Sequence, residues 1–428
     1  MNGDYIIPGF SGTGQDSIEG YAYHKYYAEN NSELSTYQEP RFRIVNESAN
    51  LHFHNGYLLV KGVLQTSTGG AITAATNCAF INNGPSFLFR SISWRINGTE
   101  VEGLNYVGQV STMAKFIKSD ENQQYTNGLM ECWVPDTNRT TNNTNTGREA
   151  RRKWVCESPD TKGQFTFKIK LQDLFGLAGN TSFMYGARHE FAFYRQEDWH
   201  ALNRAPTTPD VDFKIKLTEM TLNIPVVVCK GPGLLRLKED QASGAIQNIN
   251  YMRRYAIMQT IPTGVKDHTW TVQTMPYNKR AKYIILAFQK AFSADQKSNF
   301  SLFDHADVSF LSASINQVQI PQIEFKSDFP NDDFCEFYQM YQDLKANYYQ
   351  IDEHLQQVGI SPSAFKTLTT LYCLDVSKRE NEYMSSTADI KIDIKFNVET
   401  VANINCFALL FNEQNLNINS AEKTVAIR

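Results

Sequence analysis

Residues Asn83 to Gly103 read NGPSFLFRSISWRINGTEVEG. The run Phe87-Leu88-Phe89 leads into an alternating segment. There Ile92, Trp94 and Ile96 are separated by Ser93 and Arg95. Period-two alternation places the three apolar side chains on one sheet face. Asn97-Gly98 follows, a pair that accepts the positive φ of a tight hairpin, and Thr99-Glu100-Val101 begins the return strand. Beyond it, Val107, Val110, Ala114 and Ile117 lie at helical spacing, so the stretch predicts strand, hairpin and then a helix over 106–118.

The same order recurs half a chain later. Asp307 to Ile320 reads DVSFLSASINQVQI, and it aligns without a gap on the first unit. Ile92 matches Leu311, Ser93 matches Ser312, Ile96 matches Ile315, Asn97 matches Asn316 and Val101 matches Ile320. Trp94 and Gly98 have no identical partner. Gln317 stands where the first unit has Gly98, which predicts a wider second turn. Phe334, Phe337, Tyr338, Tyr341 and Leu344 then share a helical face. In a chain of 428 residues, a repeat at this offset predicts a duplicated domain.

Frequent Val, Ile and Thr, with 27 Phe and 21 Tyr, favour strands. No apolar run approaches the roughly 20 residues of a bilayer-spanning helix. The start, MNGDYIIPGF, lacks the basic and apolar regions of a secretory signal, which points to an intracellular product. The net charge of −4 argues against strong sequence-independent nucleic-acid binding. The seven cysteines are scattered without a CxxC, which suits reduced, mostly buried thiols. Cys132 and Cys156 bracket a polar loop and would be the pair to join if oxidised.

Taken in order, 1–38 reads as an extended N-terminal arm and 39–229 as a first β domain. The Gly-Pro-Gly stretch makes 230–250 a linker. A second β domain covers 251–411, and 412–428 is a polar tail. Each half holds about eight short strands separated by turn signals, which predicts two tandem eight-stranded jelly rolls with short inserted helices. Asp136 to Arg148, DTNRTTNNTNTGR, reads as an exposed loop. Arg148, Arg151, Arg152 and Lys153 read as its solvated end or as an intersubunit ion-pair site rather than a nucleic-acid contact.

Few residues suggest chemistry. His52 and His54 have the i, i+2 spacing of a metal pair on a strand, but no carboxylate follows before Thr99 to complete a set. His189, Glu190, Glu197, Asp198 and His200 cluster in sequence without a triad or ligand spacing. His305, between Asp304 and Asp307, is similar. Gly231-Pro-Gly233 lacks the Lys and Ser/Thr of a phosphate loop. Neither a catalytic residue nor a cofactor or metal site is expected.

The run Leu88 to Val101, with Val107 to Met113, resembles the double jelly-roll major capsid proteins of polinton-like (Maverick) and adintovirus-like viruses, a lineage that includes adenovirus hexon and virophage capsids. FTFKIKLQDLFG over 165–176 is similar to their strand ending in a Leu-Phe-Gly corner. The 218–228 segment with Pro225, and the 307–321 segment, are similar to their later strands. The resemblance implies two upright jelly rolls per subunit and a homotrimer forming a pseudo-hexameric tile. It also implies an icosahedral virion shell around double-stranded DNA. A penton protein and minor cement proteins would be the further partners, with the 136–148 loop a candidate for the outer tower. Two other readings fit tandem jelly rolls: a lectin-like carbohydrate-binding module, and a cupin-type metalloenzyme.

Overall fold

The computed structural model describes residues 18–29, 34–46, 49–120, 122–158, 162–206, 211–272, 281–291, 294–316, 318–349, 359–377 and 390–427. The first half contributes eight principal strands: β1 (Ile18–Tyr27), β2 (Arg41–Ile44), β3 (Tyr57–Thr66), β4 (Phe89–Ile96), β5 (Thr99–Asn105), β6 (Gln164–Lys170), β7 (His189–Arg195) and β8 (Phe213–Cys229). They form two antiparallel sheets, ordered β1-β8-β3-β6 and β2-β7-β4-β5.

The second half repeats this plan. Its strands are β9 (Ile246–Ile261), β10 (Asp267–Val272), β11 (Ala281–Lys290), β12 (Val308–Ile315), β13 (Val318–Ile320), β14 (Tyr372–Asp375), β15 (Ile390–Phe396) and β16 (Ile404–Asn419). The sheets are ordered β9-β16-β11-β14 and β10-β15-β12-β13, so each strand has its counterpart eight positions on. This is the double jelly roll that the alternation and the half-chain repeat predict.

The deciding stretch lies inside its sheet, with β4 paired to β7 and β5. Ile92, Trp94 and Ile96 are buried, as are Leu311, Ala313 and Ile315 in β12. Asn97 (φ 48°) and Gly98 (φ 85°) both take the left-handed conformation, as a two-residue hairpin requires. Asn316 repeats the 48°. Ile315 pairs with Val318 just as Ile96 pairs with Thr99, so the expectation of a wider second turn is corrected; Gln317 itself lies outside the described residues.

Three boundaries are also corrected. The stretch read as an arm contains β1, which pairs along its length with β8; residues 1–17 lie outside the described residues. The stretch read as a linker holds a helix, Gly231–Ser243, and the start of β9. Pro232 stands in the helix's first turn, where its missing N–H costs nothing, and Gly244 closes it at φ 70°. The stretch read as a tail continues β16 to Asn419, burying Leu416 and Ile418, and returns as β17 (Thr424–Ile427).

Both inserted helices form. The first, α1 (Val107–Lys118), is buried over nearly its whole surface. The second, here called α4 (Cys335–Tyr349, after α2 at Thr146–Cys156 and α3 at Gly231–Ser243), buries Phe337, Tyr341 and Leu344. Because successive strands alternate in direction, the excursions after β3, β5, β7, β11 and β13, the three longest among them, emerge at one end, here called the excursion end, while the 171–188 segment after β6 emerges at the other. The excursions of the two barrels meet there, so the barrels stand side by side and parallel. One buried apolar cluster runs through both.

Candidate functional site: the joint between the barrels

At the end away from the long excursions, the first barrel meets the second through Glu102 on β5. Its side chain is fully buried. Gly176 N–H donates to Oε1 at 2.9 Å, Leu177 N–H to Oε2 at 3.1 Å, and Arg254 N–H, from β9, to Oε1 at 3.1 Å. Burial pushes this carboxyl above its ordinary range, against the pull of those backbone N–H groups. The Arg254 guanidinium donates to the carbonyls of Gln172 (2.8 Å) and Asp173 (2.5 Å), and Tyr251 donates to Val101 O at 2.9 Å. A Cβ on Gly176 would lie 1.8 Å from Met252 O, so only glycine permits this approach. Gln247 pairs with both backbone groups of Tyr185. Asn97 joins in as well. It donates to Lys423 O at 3.2 Å and accepts from Arg188 N–H at 2.8 Å, so the hairpin turn also clips the C-terminal turn.

At the opposite end, Gln296 grips the backbone of Phe213, and Asn203 donates to the carbonyls of Lys297 and Ser298. Arg139 reaches Asp304 at 2.6 Å and Thr367 O at 2.8 Å. Tyr341 and Lys345 of α4 donate to Phe116 O (3.2 Å) and Ser119 O (2.8 Å), at the end of α1. Beneath α1 a buried ionic chain leads back to the first end, to Lys170 at the end of β6 and Asp173 just after it. Lys115 Nζ lies 2.9 Å from Glu131 and 3.4 Å from Asp173, Lys118 lies 3.1 Å from Asp173, and Lys170 lies 2.7 Å from Glu131. Burial alone would neutralise these groups. At three of them the opposite charges outweigh it, holding the Lys115 ammonium above its ordinary value and both carboxyls below theirs, whereas at Lys118 burial wins and lowers the ammonium.

The basic cluster is corrected. Arg148 and Arg151 are 1% and 2% exposed. Arg148 donates only to neutral oxygens, on Asn77, Thr141 and Asn203. Arg151 forks onto Asp136 at 3.0 and 3.1 Å and reaches Phe80 O. Arg152 binds Glu149 and the carbonyls of Ala74 and Thr76. Of the four, only Lys153 is exposed. They brace the inside of the excursion end. The polar loop before them is exposed at Thr140 and Asn142 to Thr144 but buries Asp136 and Asn145. Asn145 caps α2 by accepting from Arg148 N–H. That cap, an Asn just before a Glu- and Arg-rich helix, was the available sequence signal.

The other singled-out residues have structural partners. His52 lies between Tyr21 OH (3.1 Å) and Thr181 O (3.0 Å), and burial lowers it to about 4. His54 meets Gly179 O; it sits in a short 3-10 turn that His52 immediately precedes, and neither lies on a strand. His189 accepts from Trp94 Nε1 at 3.3 Å, and burial lowers it to about 3. Glu190 faces Arg41 and Arg43, Glu197 binds Trp199 Nε1, and Asp198 binds Arg195 and Ile215 N–H. His200 stacks on Trp199, and His305 on Phe329. The structure therefore disperses the 189–200 cluster. Among the described residues no three His, Cys, Asp or Glu converge as a metal site. Cys132 and Cys156 are free and buried, their thiols donating to Ile81 O and Cys78 O.

Strand β1 lies at the edge of its sheet and exposes Tyr21, Tyr23 and Tyr27. No helix of the described residues is long and apolar enough to cross a membrane.

A search of curated proteins finds no match. Among solved structures, the chain is similar to a chain in the cryo-EM structure of the Sputnik virophage, with TM-score 0.58 and 10% identity over 96% of this chain and 89% of that one. It is also similar to the mavirus major capsid protein, at 0.57 and 10% over 95% and 90%. The capsid of the virus PBCV-1 gives 0.57 and 9% over 95% and 96%. At these identities the likeness establishes the fold. A family model described as double jelly roll-like domain matches residues 78–416, and the chain belongs to that double jelly roll-like family.

Proposed function

We propose that the chain is a major capsid protein, a structural subunit of a virion shell that acts without catalysis. The observation that carries this is the joint. Two barrels of the same strand order are fixed parallel, at both ends, by buried hydrogen bonds. A rigid body with two like walls is what a tile requires, and three copies supply six barrels around a three-fold axis. The exposed tyrosines of edge strand β1 offer flat aromatic surface for a neighbouring copy. On this reading the shell is icosahedral and encloses double-stranded DNA, and the excursion end with the 136–148 loop faces outward. A penton protein, minor cement proteins and a polinton-like or adintovirus-like origin follow from the resemblance. The likenesses to virophage and PBCV-1 capsids support it through the fold.

Light scattering on the purified protein, with negative-stain images of the same fraction, tests the proposal. A mass of three 48.8 kDa subunits and particles of three-fold or hexagonal outline are expected. A monomer that persists at high concentration, alone and with co-expressed shell partners, would overturn it.

A further inference from the structure

Within the chain, the first barrel presents β5 and the start of α1 to the second, which receives them on β9 and β16. Tyr251 of β9 donates to Val101 O of β5 at 2.9 Å. Tyr106, at the start of α1, meets Phe407 of β16 edge to face, with ring centroids 5.6 Å apart. Every one of these elements has a counterpart in the other barrel. β13 and α4 stand to the second barrel as β5 and α1 stand to the first, and β1 and β8 stand to the first as β9 and β16 stand to the second. The fold thus carries a second presenting side and a second receiving side.

Their exposed groups fit that role. Tyr21, Tyr23 and Tyr27 of β1 are 36% to 57% exposed. Ile323, just past β13, is 81% exposed, whereas Leu104, near the end of β5 at the internal joint, is buried. The charges are complementary as well. β8 and β16 open opposite the last residues of β3 and β11, Phe213 on Thr66 and Ile404 on Lys290. Counted on from there, Lys216 opposite Val63 stands where Phe407 stands opposite Ala287. Lys214 and Lys216 alternate with the buried Ile215 and Leu217, so both point outward. Asp333 and Glu336 are exposed at the start of α4, the counterpart of the α1 start that meets Phe407. Neighbouring Asp332 has Lys366 as its partner. Among the described residues, no carboxylate meets Lys214 or Lys216, and no cation meets Asp333 or Glu336.

We propose that neighbouring copies join by repeating the internal joint. β13 and the start of α4 of one copy pack on β1 and β8 of the next, with Asp333 and Glu336 facing Lys214 and Lys216. Two different surfaces meet in such a contact, so it runs head to tail and builds a ring when the rotation closes. The inference rests on the capsid reading, which supplies the three copies, and adds the surface that the β1 tyrosines meet.

Light scattering over a dilution series of the full chain at low salt tests it. Lys214→Glu with Lys216→Glu, and separately Asp333→Lys with Glu336→Lys, should each weaken the trimer by at least about tenfold, because like charges then face each other. All four changes together restore opposite signs and should return the trimer to within about threefold of the parent. The four positions are exposed, and circular dichroism establishes that each variant is folded. A parent trimer that either pair leaves intact, or that the four changes together do not restore, overturns this inference and leaves the capsid reading standing. A parent that stays monomeric, alone and with co-expressed shell partners, overturns both.

Discussion

The side chain of Gln296 closes both hydrogen bonds of one residue in the other barrel: its Oε1 accepts from Phe213 N–H at 3.0 Å, and its Nε2 donates to Phe213 C=O at 2.5 Å. A single amide thus acts as one rung of strand pairing between barrels that share no sheet there. Gln247 does the same to Tyr185 at the other end, at 3.3 and 2.8 Å. Gln296→Ala leaves two backbone groups unpaired at a buried place and should cost about 1–3 kcal/mol. Denaturant unfolding measures it. The same change at Gln247 should add to it nearly in full, because the two rungs lie at opposite ends and share no partner.

Gly176 should tolerate no side chain. A Cβ there would fall 1.8 Å from Met252 O and 2.9 Å from its carbonyl carbon, and backbone cannot move aside as a rotamer can. Gly176→Ala is expected to cost about 3 kcal/mol or more. It should also speed exchange of the Arg254 amide, whose bond to Glu102 lies against the same contact. Hydrogen-exchange mass spectrometry over 245–258 reads this out.

Lys115→Met breaks the buried ionic chain on one side and leaves Glu131 and Asp173 with fewer cations, at an expected cost of about 3–5 kcal/mol. The chain also sets a pH dependence. Both carboxyls titrate lower in the fold than their ordinary 3.8 and 4.5, so in acid the unfolded chain takes up protons first. Their contribution is complete above those ordinary values and is lost as pH falls through and below them. Unfolding midpoints measured from pH 6 downward should drop with a shallower slope in the Lys115→Met variant, to the extent that Lys115 sets the shift.

His189 acts in a higher window. Its folded value of about 3 lies below its ordinary 6.5, so its stabilising effect is complete above 6.5 and is lost as pH falls from there towards 3. Each pH unit well inside that window costs about 1.4 kcal/mol for this one residue. His189→Phe should flatten the loss between pH 6 and 4, at the price of the Trp94 hydrogen bond. Equal slopes in variant and parent would refute the assignment.

Arg148→Met should destabilise the excursion end by about 2–4 kcal/mol, since Asn77, Thr141 and Asn203 lose the donors that hold them. It should leave DNA retention on heparin-like or DNA columns unchanged, because this guanidinium is sealed from solvent.

Much of the fold was legible because strand alternation and hairpin turns are local signals. Ile92, Trp94 and Ile96 declare a buried face whatever surrounds them, and Asn97-Gly98 declares a turn. What escaped depends on partners far away. Strand β1, IEGYAYHKYY, shows no apolar alternation because it is an edge whose tyrosines face outward; its identity comes from β8, some two hundred residues on. Gly231-Pro-Gly233 reads equally as a linker and as the first turn of a helix. The arginines of 148–152 look like surface charge until the carbonyls of Phe80, Ala74 and Asn203 are placed beside them. Glu102 gave no sign at all, since its three donors are backbone atoms and leave no mark on sequence.

That last property has a consequence for descent. The Glu102 anchor and the two glutamine rungs fasten onto main-chain atoms, which every amino acid carries. The segments they grip can therefore exchange nearly all their side chains without loosening the union, Gly176 excepted. An arrangement written mostly in chain path rather than in letters can outlast the erosion of its own text.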